Sequence, residues 1–282
     1  MKQRRILLWV LGVILTLAAA YYQRVTGPTY PKKINFTLNE KDYESKLIRS
    51  HGGEDDALIT LDIDNSNVNA IIFYKHYPVI NDEEWTSVNF NHETVEGKNV
   101  MTAKLPHQPP AGKLIYQIEI TEANDKAALF NEEPIVIRFK GDVPAFILIP
   151  HVIFIFFAMF LANVSGLFAA FKIPQFKRYT TITLILMLLG GMILGPIVQK
   201  YAFLEFWAGV PFGWDLTDNK LLIAFLAWLV AWIINRKKEN RTSVIIASLI
   251  TIIIFSIPHS MFGSELNRET GEVIQGFIQL YL

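Results

Sequence analysis

The chain has 282 residues, 51% hydrophobic and 18% charged, with 26 basic and 26 acidic side chains and a mean hydropathy of +0.29. With no cysteine, disulfides, thiolate metal sites, c-type haem attachment and a cysteine nucleophile are all excluded. The neutral total hides two unlike parts: residues 31–143 hold 12 Lys/Arg against 19 Asp/Glu, a net of −7, and residues 144–282 hold 10 against 7. An acidic middle and a nearly neutral remainder give no support for nucleic-acid binding.

Residues 1–30 form an N-terminal anchor or signal segment and a connector. Lys2, Arg4 and Arg5 precede the apolar run Ile6–Ala20, the pattern of a membrane anchor or a secretory signal. Ala18-Ala19-Ala20 fits a small-residue cleavage site, whereas Tyr21 and Tyr22 lengthen the segment and suit a membrane interface. Both readings leave the next residues outside the cytoplasm.

Residues 31–143 read as an extracytoplasmic all-β sandwich. The runs Lys33–Leu38, Ala57–Ile63, Ala70–Tyr74, Trp85–Phe90, Val100–Leu105, Lys113–Ile120 and Pro134–Phe139 have strand length, and several alternate apolar with polar residues. Asp64-Asn65-Ser66-Asn67, Asn81-Asp82-Glu83-Glu84 and Pro109-Pro110-Ala111-Gly112 supply turn chemistry between them. His51, His76, His92 and His107 form no tight ligand pair, and Asp55, Asp56, Asp62 and Asp64 read as a solvated acidic turn before an ion site. No serine-hydrolase or zinc-protease motif occurs, so no catalytic residue is assigned. The stretch IIFYKHYPVINDEEWTSVNF, followed by MTAKLPHQPPAGKLIYQIEI, resembles immunoglobulin-like or fibronectin type III-like modules over about residues 57–140. That resemblance implies a sandwich and no particular function.

Residues 144–264 read as a four-helix transmembrane bundle. Asp142 is the last charge before Lys172, and uncharged runs recur at Tyr179–Gln199, Leu221–Asn235 and Thr242–Ser264. Ala158, Ala162 and Gly166 make a small-residue stripe, and Gly191 with Gly195 reads as a packing notch or a kink. The loop KYAFLEFWAGVPFGWDLTDNK is aromatic and broken by Gly209, Pro211 and Gly213, which places it in the headgroup zone or folded back into the protein. Asp218 or Asn219 suits the N-terminal cap of the following helix. Residues 265–282 form an external C-terminal tail.

Three basic groups alternate along the chain: Lys2/Arg4/Arg5, Lys172/Lys177/Arg178 and Arg236/Lys237/Lys238/Arg241. The positive-inside rule puts all three in the cytoplasm, giving five spans, or four after signal cleavage, in a bacterial cell inner membrane. The sandwich and the C-terminus are then periplasmic. His151 and His259 fall in the outer leaflet, with Glu205, Asp215, Asp218 and Glu265 near that surface. Ionisable residues there are costly unless paired or functional. Three roles remain open: structural hydrogen bonding, ligation of a b-type haem or contact with a quinone through His151 and His259, and a metal site or proton relay. The segment FWAGVPFGWDLTDNKLLIAFLAWLVAW, with IPHSMFGSEL downstream, is similar to segments of uncharacterised bacterial membrane proteins. The favoured expectation is an integral membrane structural or partner-binding protein, a subunit of an envelope or respiratory complex. Its partners are membrane lipid and proteins of the membrane or periplasm.

Overall fold

The computed structural model describes residues 2–80, 82–122, 125–129, 133–258, 264–271 and 273–275. The chain divides into two units, one of Met1–Pro28, Val143–Ser264 and Ile274–Leu282, the other of Thr29–Asp142 and Glu265–Val273. The second is built of β-sheets and the first of helices.

In chain order the strands of the β unit are β1 (Lys32–Leu38), β2 (Lys41–Leu47), β3 (Ser50–Gly52), β4 (Ala57–Leu61), β5 (Val68–Tyr77), β6 (Thr86–Asn89), β7 (Asn91–Val95), β8 (Lys98–Leu105), β9 (Lys113–Glu122), β10 (Asp125–Leu129) and β11 (Ile135–Lys140). Each of the seven runs read as extended overlaps one of them. β1 and β2 form a hairpin that turns through Asn39 and Glu40, both at positive φ, the backbone that a tight hairpin turn requires. A six-stranded sheet runs β3-β11-β9-β5-β6, with β10 also on β9, and a three-stranded sheet runs β4-β8-β7. All pairs are antiparallel except β3 with β11.

Alternation sets the core. On β9, Leu114, Tyr116, Ile118 and Ile120 are buried and the residues between them are not, because successive side chains leave a strand on opposite faces. β2 has the same pattern concealed among charges: Tyr43, Ser45 and Leu47 point inward from KDYESKL. Side chains of all three sheets meet in one apolar cluster that includes Leu38, Leu47, Ile59, Leu61, Ile72, Met101, Tyr116, Ile118, Ile137 and Phe139. The Tyr116 hydroxyl donates 2.9 Å to the Ile48 carbonyl, so the one polar atom of this buried ring is matched. Trp85 lies at the margin, half-exposed, with the Lys75 ammonium 4.6 Å from its ring centre.

The helical unit contains α1 (Lys2–Val25), α2 (Ala145–Ala170), α3 (Phe176–Leu186), a π-helical stretch Met187–Leu194, α4 (Gly195–Phe203), α5 (Leu216–Lys237) and α6 (Arg241–Ser256). Four helices are long and apolar enough to cross a membrane: Lys2–Val25, Ala145–Ala170, Phe176–Phe203 and Leu216–Lys237. Only 22% to 28% of the most apolar stretch of each is buried, so most of that apolar surface needs an apolar surrounding. The expected last span, Thr242–Ser264, is shorter than read. α6 has 16 residues and ends at Ser256, about 24 Å of helix at ~1.5 Å per residue, because Pro258 has no amide to continue the ladder.

α2 packs against α1, α3 and α6. Its stripe of Ala158, Ala162 and Gly166 is buried. A Cβ on Gly166 would overlap the Ser248 side chain of α6, so the helices meet there at glycine-only separation. α1 is bound into the unit: Asn163 donates 2.9 Å to the Thr16 hydroxyl, and Trp9 packs on Phe160, Phe168 and Tyr179. Trp228, fully buried on α5, donates 2.7 Å to Thr251 of α6. The glycines read as a notch do more than that. Gly190 takes the Phe154 side chain, Gly191 takes Leu221, and the ladder locally has the π form.

The α2–α6 contact makes a direct prediction. Gly166→Ala should destabilise the detergent-solubilised protein by about 1–3 kcal/mol, the usual cost of overpacking, seen as a lower melting temperature. Adding Ser248→Gly should restore most of the loss, since the overlapping atoms are then gone. An unchanged melting temperature in Gly166→Ala would mean that these helices do not touch.

Candidate functional site

Among the described residues, the buried charged side chains of the helical unit gather at the start of α5. Asp215 is the N-cap: its Oδ1 accepts from the amides of Thr217 at 2.8 Å and Asp218 at 3.2 Å, two of the donors that every helix start leaves without partners. Asp218 faces the other way, and its Oδ2 accepts 2.7 Å from the Ala208 amide in the aromatic loop. Asn219 Oδ1 accepts 2.8 Å from the Val210 amide. Lys220 Nζ donates to the carbonyls of Ile257 at 2.8 Å and Pro258 at 3.4 Å, just beyond α6. Its positive charge therefore sits on the negative end of that helix. Asp215, Asp218 and Lys220 are all buried, and one turn of α5 ties down its own start, the loop and the end of α6.

Glycine at position 209 is part of this geometry. A Cβ there would lie 2.8 Å from the Cβ of Asp218 and 3.0 Å from Oδ1 of Asn219. Glu205 lies in the same loop, half-exposed. Burial first, and the negative charge of Asp215 second, raise its pKa above the ordinary carboxylate value, with Lys200 opposing.

His151 sits at the same end of the helical unit. Its Cε1 is 3.8 Å from the position a Cβ on Gly195 would take, and Leu221, next to Lys220, lies at that glycine too. His151 Nδ1 is 2.8 Å from the Gly190 carbonyl of the π stretch. The carbonyl can only accept, so Nδ1 carries the proton and, in the neutral ring, Nε2 keeps the lone pair. His259 lies outside the described residues. Pro258, immediately before it, is the residue whose carbonyl Lys220 holds.

The remaining residue singled out from the sequence is Glu265. It belongs to the β unit, where its carboxylate pairs with Lys113 of β9 and the next amide, Leu266, donates 3.3 Å to the Ala111 carbonyl. The cause is the Lys113 ammonium. Burial lowers its pKa and its hydrogen bond to Glu265 opposes that shift, so the carboxylate compensates a charge that would otherwise be stranded. Arg268 follows, 3.6 Å from Glu83, which also holds His76 at 2.5 Å.

The cap expected at Asp218 or Asn219 is made by Asp215 instead, and Lys220 is the member whose role the sequence reading did not assign. A lone lysine directly before an apolar run is a legible signal, although its partners, the last carbonyls of a distant helix, are not. Among the described residues, no three His, Asp or Glu side chains converge to hold a metal ion. A bis-histidine haem needs two imidazoles, and the described part of the helical unit supplies His151 alone.

The β unit carries an open cleft of about 400 Å³ on the β6-β5-β9 face, lined by Asn69, Ala70, Ile71, Asn89, Phe90, Glu119 and Thr121. Ile71 stands between Asn89 and Glu119 in the register, and Asn69 stands opposite Thr121. Carboxamides, a hydroxyl and a carboxylate thus surround one aliphatic side chain, a surface able both to donate and to accept hydrogen bonds. Comparison of the chain with protein-family models, with curated proteins and with solved structures finds no match.

Proposed function

We propose that this is a multi-span membrane protein of a bacterial inner membrane, whose helical unit anchors an immunoglobulin-like β-sandwich that binds a partner on the periplasmic side. The observation that carries this reading is the fate of the buried charges. Asp215, Asp218 and Lys220 are each consumed by backbone groups of the helical unit itself, while the β unit presents an open polar cleft. An anchor that spends its charges internally has the chemistry of a scaffold, and the open cleft has that of a binding module.

Charge placement supports the orientation. Arg4 lies 4.8 Å from the ring centre of Phe171, next to Lys172. Lys177 is 3.4 Å from Glu239, which also pairs with Arg241 at 2.7 Å. The three basic groups thus occupy α1's start, the α2–α3 turn and the α5–α6 turn, the sites that the positive-inside rule assigns to the cytoplasm. A redox role has one observation in its favour, the Nε2 lone pair of His151, free to ligate a haem iron or accept from a quinol.

Two expectations test the proposal. Asp218→Ala and Lys220→Met should each lower stability by about 1–3 kcal/mol, the cost of leaving buried groups unmatched, read as the melting temperature in detergent. A photo-cross-linker at Asn89 or Thr121 should still capture its partner in intact cells carrying either variant. Loss of capture at unchanged melting temperature would instead make the α5 cluster functional. The same cross-linker at exposed Glu44, away from the cleft, should capture nothing; equal capture from all three sites would overturn the cleft as the binding face. For the redox reading, the visible spectrum of the purified protein should show no Soret band; one abolished by His151→Ala would replace the binding proposal.

A further inference from the structure

The loop between α4 and α5 divides its groups by polarity. Its polar atoms turn inward or onto one another. The Ala208 and Val210 amides go to Asp218 and Asn219, the Phe212 and Gly213 amides to the Gly209 carbonyl, the Asp215 amide to the Ala208 carbonyl, and Trp207 Nε1 to the Val210 carbonyl. Its apolar side chains do the opposite. Phe206 is 58% exposed, Phe212 83% and Trp214 78%, whereas Trp228, about three turns into α5, is completely buried. Aromatic rings exposed from a loop whose amides at 208, 210, 212, 213 and 215 have partners within the protein are suited to an apolar medium and ill suited to water.

We propose that Leu204–Trp214 is a lipid-seated wedge, with Phe206, Phe212 and Trp214 immersed at the headgroup–acyl boundary of the bilayer that the helices cross. This rests on the membrane reading given above. Continuity selects lipid as the occupant. The loop joins two of the apolar helices, and exposed Tyr201 on α4 and Ile223 on α5 carry their apolar surface up to it. Lys200 marks the polar level beside it, with Nζ donating 2.7 Å to the Leu204 carbonyl and lying 5.4 Å from the Phe206 ring centre. A lysine among aromatic rings is the side-chain set of a membrane interface, where the ammonium reaches phosphate and the rings lie just below.

The chain has no cysteine, so single cysteines can be introduced without removing any. Phe212→Cys and Trp214→Cys would be made in the full chain, with Val152→Cys on the exposed apolar face of α2 as the reference. Each would carry a nitroxide and be reconstituted in phosphatidylcholine–phosphatidylglycerol vesicles. Collision with oxygen, which partitions into lipid, would be compared with collision with a water-soluble nickel chelate. The expected result is oxygen-dominated relaxation at all three sites, with 212 and 214 shallower than 152. Chelate-dominated relaxation at 212 and 214, with 152 still in lipid, overturns the wedge and leaves the membrane reading intact. Chelate-dominated relaxation at all three overturns both. Labels at 212 and 214 that are water-exposed in vesicles and become immobilised only with added membrane protein would make the loop a protein-docking surface, and would overturn the wedge as well. Because Phe212 makes almost no packing contact, a melting temperature unchanged in Phe212→Cys keeps the reading free of misfolding.

Discussion

In an apolar surrounding, a backbone amide or carbonyl that loses its helical partner must find another within the protein. The helical unit breaks its ladders in several places, and at some of them a polar side chain supplies what is missing. Asp215 accepts from the orphan amides of α5. Lys220 donates to the carbonyls just past α6, and Gln23 of α1 reaches the same Ile257 carbonyl at 3.1 Å. His151 donates to Gly190 inside the π stretch, where the regular ladder is interrupted and Pro196 brings no amide. Asp218 and Asn219 hold the amides of the loop. Three of the residues that looked most like chemistry in the sequence, His151, Asp215 and Asp218, thus supply partners to backbone groups at breaks in the helices.

The same rule operates in the β unit with water nearby. Lys113 and Tyr116 of β9 take an ammonium and a hydroxyl largely out of solvent, and each has a partner far away in the chain: Glu265 for one, the Ile48 carbonyl for the other. The segment after α6 thereby becomes part of the β unit. The energetic logic is that of compensation. The carboxylate adds little net stability by itself, but its removal leaves a desolvated ammonium.

How legible these features were depends on range. Strands such as β9 declare themselves through period-2 alternation, and the span positions through the absence of charge, because both are properties of a few neighbouring residues. The stripe at Ala158, Ala162 and Gly166 is legible for the same reason. β2 is not: its inward Tyr43 and Leu47 are separated by Lys, Asp, Glu and Ser, and Ser45 is buried because the Asp62 amide donates 2.8 Å to its hydroxyl across the fold. The end of α6 was misjudged because hydropathy continues past Ser256 while the backbone ladder stops before Pro258. The Lys113 partner of Glu265 could not be read either, since it lies 152 residues away. In the α5 cluster a cap at the helix start could be read locally, but at Asp218 or Asn219 rather than at Asp215, where it lies; the Ala208, Val210, Ile257 and Pro258 partners could not, since each is a contact between segments.

These constraints also separate anchoring from recognition. A helical unit whose buried charges are already matched gains nothing by exposing them to a ligand, because withdrawing Asp218 from the loop or Lys220 from α6 would leave backbone groups without partners in a medium that cannot solvate them. The cleft on the β6-β5-β9 face carries no such obligation. Asn69 and Asn89 are exposed side chains on a sheet whose backbone pairing is made without them, so their hydrogen-bonding groups can exchange water for a ligand at little structural cost. Recognition is therefore physically cheaper on the sheet than at the helix ends, and a chain that combines the two has reason to keep its binding chemistry on the strands and its matched charges among the helices.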